Sequence, residues 1–155
     1  MNCLNCAAPM VLVRDRDYFR CEHCGSFHFP RENDEGIRPL GQATGLQCPS
    51  CGRELEAASI EGHLVKTCPN CRGILARRRA FAIIVEKRRV ARQGTDPFPR
   101  PLPEGEQGRR LPCPVCGRLM DTHPYLGPGA VVVDTCGDCC LIWLDPGELA
   151  IIERA

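Results

Sequence analysis

The chain has little with which to build an ordinary apolar core. Its 155 residues include five Phe, two Tyr, one Trp and three Met, against 15 Gly and 14 Pro. No stretch approaches the ~18 apolar residues of a membrane-crossing helix, so no membrane partner is expected. The opening Met1-Asn2-Cys3-Leu4-Asn5-Cys6 lacks the basic region and apolar stretch of a secretory leader. That points to a reducing, cytoplasmic setting and away from a disulfide framework. A phosphate-binding glycine loop, a His-Glu-x-x-His helix and a serine-nucleophile elbow are all missing. No catalytic residue and no small-molecule substrate are therefore expected. The scarcity of aromatic rings also disfavours recognition of single-stranded nucleic acid by stacking.

What the chain does have is cysteine. Twelve of its thirteen cysteines form six Cys-x-x-Cys pairs, arranged as three successive couples. Cys3 and Cys6 go with Cys21 and Cys24, Cys48 and Cys51 with Cys68 and Cys71, and Cys113 and Cys116 with Cys136 and Cys139. Residues 7–20, 52–67 and 117–135 separate the two halves of each couple. Two short turns at this spacing can offer four thiolates to one tetrahedral zinc ion. Pro49 and Pro114 follow the first cysteine of their pairs, and Gly25, Gly52 and Gly117 follow the second, residues that suit a tight metal knuckle. Redox Cys-x-x-Cys motifs usually stand singly beside a helix. Iron in a sulfur tetrahedron is the rival that geometry alone does not separate from zinc. The expectation is three zinc ions, held by the twelve paired cysteines. Each couple spans fewer than the roughly 40 residues that normally fold on apolar burial, so metal must supply the deficit.

The couples share a grammar of knuckle, strand, turn, strand, knuckle, strand. The first runs are Met10-Val11-Leu12-Val13, Leu55-Glu56-Ala57-Ala58 and Leu119-Met120-Asp121-Thr122. The turns are Arg14-Asp15-Arg16-Asp17, Glu61-Gly62-His63 and Gly127-Pro128-Gly129. Apolar runs containing Phe27, Ile74 and Trp143 leave the second knuckles. This is the pattern of a zinc ribbon. Residues 68–84 overlay residues 136–152 at a constant offset of 68, which makes the second and third units the closer pair. The predicted fold is small, metal-stabilised and mainly β: three zinc ribbons in series, with short helices after the second and third. Residues 1–36 form the first ribbon, 37–47 a linker, and 48–92 the second ribbon with a basic helix near 80–92. Residues 93–112, with alternating prolines, read as a second linker, and 113–155 as the third ribbon. In its tail Asp145 suits an N-cap, Pro146 the first helical position and Glu148 a capping box, with Trp143 packed beneath Leu149 and Ile152.

The third unit resembles the transcription factor IIB-type zinc-finger family of bacterial proteins. The likeness rests on Cys136-x-x-Cys139 followed by Ile142-Trp143-Leu144-Asp145-Pro146-Gly147-Glu148-Leu149. It covers 113–155 well and 48–85 in part, while the first unit is similar to a generic zinc ribbon. The resemblance implies zinc binding and a ribbon fold. Two departures stand out: Leu141 occupies the position where the family has Gly, and Cys140 adds an unpaired thiol. In the middle unit Arg77-Arg78-Arg79-Ala80 replaces the capping segment.

Charge is uneven. Residues 72–92 carry eight basic side chains against Glu86, whereas residues 113–155 are acidic. These halves can meet different partners or attract each other. Arg77, Arg78, Arg79, Lys87, Arg88 and Arg89 are candidate contacts for nucleic acid or another anion, and a solvated basic face is the competing reading. His23 reads as part of a turn and His123 as a hydrogen-bonded surface group. The expected function is a non-enzymatic interaction module for protein or nucleic acid. A redox-sensing or metal-handling protein that uses Cys140 is the alternative.

Overall fold

The computed structural model describes residues 1–13, 18–92, 105, 108–125 and 131–154. The expected turns at 14–17 and 127–129, and most of the 93–112 linker, lie outside the described residues.

All six Cys-x-x-Cys segments fold into the same knuckle. The residue after the second cysteine adopts a left-handed backbone in every one, with φ of 58° at Ala7, 74° at Gly25, 74° at Gly52, 61° at Arg72, 74° at Gly117 and 53° at Cys140. In five of them its N–H donates to the carbonyl of the first cysteine at 2.8–2.9 Å, from Ala7, Gly25, Gly52, Arg72 and Gly117. Glycine accepts this conformation freely, whereas Ala7, Arg72 and Cys140 carry its steric cost.

The first unit is a three-stranded antiparallel sheet of β1 (Val11–Val13), β2 (Tyr18–Arg20) and β3 (Phe27–His28). The other two units merge. Strands β4 (Arg38–Gln47), β5 (Glu54–Ile60), β6 (His63–Thr67) and β7 (Ile74–Arg77) continue without a break into the third unit. There β8 (Asp121–Pro124), β9 (Val132–Cys136) and β10 (Leu141–Leu144) complete one antiparallel sheet of order β4-β5-β6-β7-β10-β9-β8. Glu61 and Gly62, both at positive φ, form the two-residue turn between β5 and β6, as a type I′ hairpin requires. Helices α1 (Arg78–Ala91) and α2 (Glu148–Arg154) follow the last strand of their units and pack on each other. Neither helix is long and apolar enough to cross a membrane.

The join between β7 and β10 has an internal twofold character. Its pairs are Ile74 with Leu144, Leu75 with Trp143, and Ala76 with Ile142. At the offset of 68, Leu75 and Trp143 are equivalent positions, and the flanking pairs exchange places. The repeat therefore packs on itself as an isologous dimer would, within one chain. Alternation along the strands then makes two cores. Ile74, Ala76, Ile142 and Leu144 join Phe81, Ile84 and Val85 of α1 and Leu149 and Ile152 of α2. Leu75, Leu141 and Trp143 join Cys48, Cys68, Cys113 and Cys136 on the opposite side.

Three expectations need correction. Residues 37–47 are not a linker: Ile37 and Leu40 are fully buried, and 38–47 is a ten-residue strand. Gly41 and Gly45 sit at register shifts against β5, where positive φ bends an edge strand rather than ending it. This strand also ties the units together, since Leu40 packs with Cys3, Met10, Phe19 and Cys21 of the first. Trp143 is core, as expected, but faces the cysteines rather than Leu149 and Ile152, because its neighbours in β10 take the helix side. Finally, α2 starts at Glu148, and the Asp145 carboxylate takes donors from Arg109 and the Trp143 indole. The Glu148 carboxylate accepts the Asp145 N–H at 2.7 Å, half of the expected box, while Glu35 accepts the Gly147 N–H at 2.5 Å.

Candidate metal centres

Each knuckle couple brings four sulfurs together. The ligand atoms of Cys3, Cys6, Cys21 and Cys24 all lie within 4.8 Å of one another, as do those of Cys48, Cys51, Cys68 and Cys71, and those of Cys113, Cys116, Cys136 and Cys139. Across the knuckles, Cys3 and Cys24 are 3.6 Å apart, Cys6 and Cys21 3.5 Å, Cys48 and Cys71 3.5 Å, Cys51 and Cys68 3.4 Å, and Cys116 and Cys136 3.7 Å. A tetrahedron with Zn–S near 2.3 Å has edges of about 3.8 Å. The donor sets thus fit three zinc ions, and a complete set of four thiolates leaves no open position for water.

Local donors prepare some sulfurs to be thiolates. The Ser26 hydroxyl, helped by the Ser26 N–H, holds Cys24 down to about 6. The N–H of Arg53 does the same for Cys51, also to about 6, and that of Arg118 lowers Cys116. Burial pushes Cys48, Cys71 and Cys113 up. Buried thiols beside amide-stabilised ones make a cluster that a dication resolves by displacing protons.

Cys140 lies outside the third set. It is exposed, occupies the left-handed position of its knuckle, and points its Sγ toward the Gly137 carbonyl at 3.6 Å. Cys140→Ser should therefore leave zinc content unchanged, as measured by elemental analysis, whereas Cys139→Ser should lower it. Cys140→Gly should raise stability by about 1 kcal/mol, the left-handed cost less the entropy that glycine adds to the unfolded chain.

The basic candidates divide into two groups. Arg77, Arg78 and Arg79 are exposed and carry no ion pair among the described residues. They open α1 with no acidic residue in the first turn and no side-chain cap. Lys87, Arg88 and Arg89 are engaged within the fold. Lys87 reaches the Glu61 carbonyl at 3.3 Å, and Arg89 donates to the Ile152 carbonyl at 2.9 Å. Arg88, only 12% exposed, pairs with Glu61 at 3.4 Å and Glu153 at 2.9 Å and donates to the Glu35 carbonyl at 2.7 Å. The basic helix and the acidic end do attract each other, through this half of the segment. His123 is exposed and sits 3.1 Å from the Thr135 hydroxyl, a surface contact.

A polar group absent from the sequence reading braces the third unit. Arg109 bridges Asp134, which is fully buried, and Asp145. Thr122 lies 2.5 Å from Asp134, and the Trp143 indole donates to Asp145 at 3.1 Å. Polar Thr122 and Asp134, paired in facing strands, are the sequence signal for this group, whereas Arg109 falls in the segment 93–112, whose prolines predict a linker.

Residues 47–87 match the model of the transcription factor zinc-finger family, of the TFIIB zinc-ribbon type. The match falls on the second unit, the one whose tail departs from the family pattern. No curated protein and no solved structure matches the chain.

Proposed function

We propose that this chain is a non-enzymatic, cytoplasmic zinc protein that binds a macromolecular partner, nucleic acid in the first instance, in a transcription-related role. The twelve paired cysteines are its zinc ligands, and the ribbons are the domains, the second and third acting as one body. The observation that carries the reading is the pairing of three closed four-cysteine sets with an exposed run of Arg77, Arg78 and Arg79 that has no ion pair among the described residues. Closed thiolate sites hold shape rather than activate water, so the chemistry on offer is recognition. The family match supports a binding module.

Replacing Arg77, Arg78 and Arg79 together by Gln should weaken binding to fluorescent DNA or RNA and flatten its salt dependence. Each lost phosphate contact should take about 0.7–0.9 off the log–log slope. Zinc content should stay at three, because none of these residues is a ligand. A parent protein that binds no nucleic acid at low salt would remove this partner.

A further inference from the structure

The three-stranded sheet of the first unit has one covered face and one bare one. Leu12 and Phe19 point inward to Cys3, Met10, Cys21 and Leu40. The register puts Val11 opposite Arg20 and Arg20 opposite Phe27, with Val13 opposite Tyr18, so these residues share the outer face. Phe29 continues the same alternation beyond β3. Phe27 is 55% exposed, Phe29 65% and Val11 49%, values far from those of core residues. The rings gather rather than scatter. Tyr18 lies 5.5 Å from Phe27, edge-on, and 5.2 Å from Phe29, while Phe27 and Phe29 are 6.5 Å apart and tilted by 24°.

Three of the chain's eight aromatic side chains thus form one solvent-facing cluster, with Arg20 the one charged side chain among the described residues of that face. Arg20 is exposed, and among the described residues it has no acidic partner and no carboxylate shares its face. Flat rings beside an exposed guanidinium match a guest that is itself flat, apolar on its faces and anionic along one edge. That is a nucleobase attached to its phosphate. An ordinary apolar peptide would leave Arg20 without a partner. A duplex hides its base faces, so the strand must be single.

We infer that the outer face of the first ribbon, through Tyr18, Phe27, Phe29 and Arg20, binds single-stranded nucleic acid by stacking its bases on the rings. This rests on the binding function proposed above and adds a second surface to it, one specific for unpaired strands. Scarcity of aromatics is no obstacle when those present are collected in one place.

The test uses full-length zinc-loaded protein, with oligouridylate, oligothymidylate and a duplex, each of about 12 nucleotides. Phe27→Ala and Phe29→Ala remove exposed rings and should keep three zinc equivalents. Each should weaken single-strand binding by roughly 5- to 150-fold while leaving the salt slope and duplex binding unchanged. Arg20→Gln should lower the single-strand slope by about 0.7. If the parent binds single strands and both Phe variants bind them equally well, the proposed face is wrong and the binding function stands. If the parent binds no nucleic acid of any kind, both fall. Self-association of the parent that the Phe variants abolish, without single-strand binding, would assign the face to a second copy of the chain and overturn the inference.

Discussion

Cys136→Ser should cost the protein two zinc ions, not one, and should unfold the second and third ribbons together. A zinc ion in a small finger contributes about 10–16 kcal/mol of apparent binding energy at neutral pH, far more than a ribbon's own core can supply. Losing one ligand therefore releases the third unit from its folded state. The second unit cannot simply remain, because the two have no separate interiors. Cys48, Leu55, Cys68 and Leu75 pack in the same cluster as Cys113, Met120, Leu141 and Trp143, and β10 is the outer neighbour of β7. Ile74 and Ala76 would likewise lose Ile142 and Leu144 from the other face. Elemental analysis of the purified variant should give a zinc content near one. Amide signals from β5, β6 and β7 should lose their dispersion. A content of two, with those signals in place, would show instead that the ribbons fold independently.

How much of this could be read from the residues depended on the range of the interaction. The metal sites were legible because zinc coordination is local: two cysteines three residues apart, a tight turn and a second such pair suffice. The same holds for the hairpins, whose alternation and Glu61-Gly62 turn lie within a few residues. Strand β4 was hidden because Pro39, Gly41 and Gly45 are ordinarily breakers, and only the partner strand shows that they mark bulges on an edge. The orientation of Trp143 was a matter of period two. Once Ile142 and Leu144 are assigned to the helix side, the indole must face the cysteines. The merger of two ribbons was encoded in the offset of 68, but a repeat does not state whether its copies stack, pair or stand apart. Arg88 and Arg89 looked like neighbours of Arg77, Arg78 and Arg79 in a charge count. A helix of 14 residues separates its ends by about 20 Å, so the two clusters meet different surroundings.

The largest effect expected from a single methyl group is at Gly73. A Cβ built there would lie 2.2 Å from Cζ2 and 2.5 Å from Cη2 of Trp143, distances no side chain can tolerate without something moving. Trp143 is fully buried and its indole is tied to Asp145, so it has nowhere to retreat. Gly73 itself precedes β7 directly, and its carbonyl accepts the Cys68 N–H at 2.9 Å, so a backbone shift would be felt at the metal knuckle. Overpacking of this kind typically costs about 1–3 kcal/mol, and with both sides held Gly73→Ala should reach about 3 kcal/mol. The twofold explains why the chain accepts this arrangement. Gly73 is equivalent to Leu141, and Trp143 to Leu75, so the two diagonal contacts across the join are a glycine against a tryptophan and a leucine against a leucine. Leu75 stands where the second unit lacks a tryptophan, and Leu141, where the third unit departs from the family's glycine, shares its cluster. A double-mutant cycle isolates the contact. Trp143→Leu alone should destabilise by shrinking the core, yet in that background Gly73→Ala should cost little, because the indole that opposed the methyl group is gone. Denaturant midpoints of the four proteins, all loaded with three zinc ions, would give the coupling. Equal costs for Gly73→Ala with and without Trp143 would mean that the glycine serves its own knuckle and not the join between the ribbons.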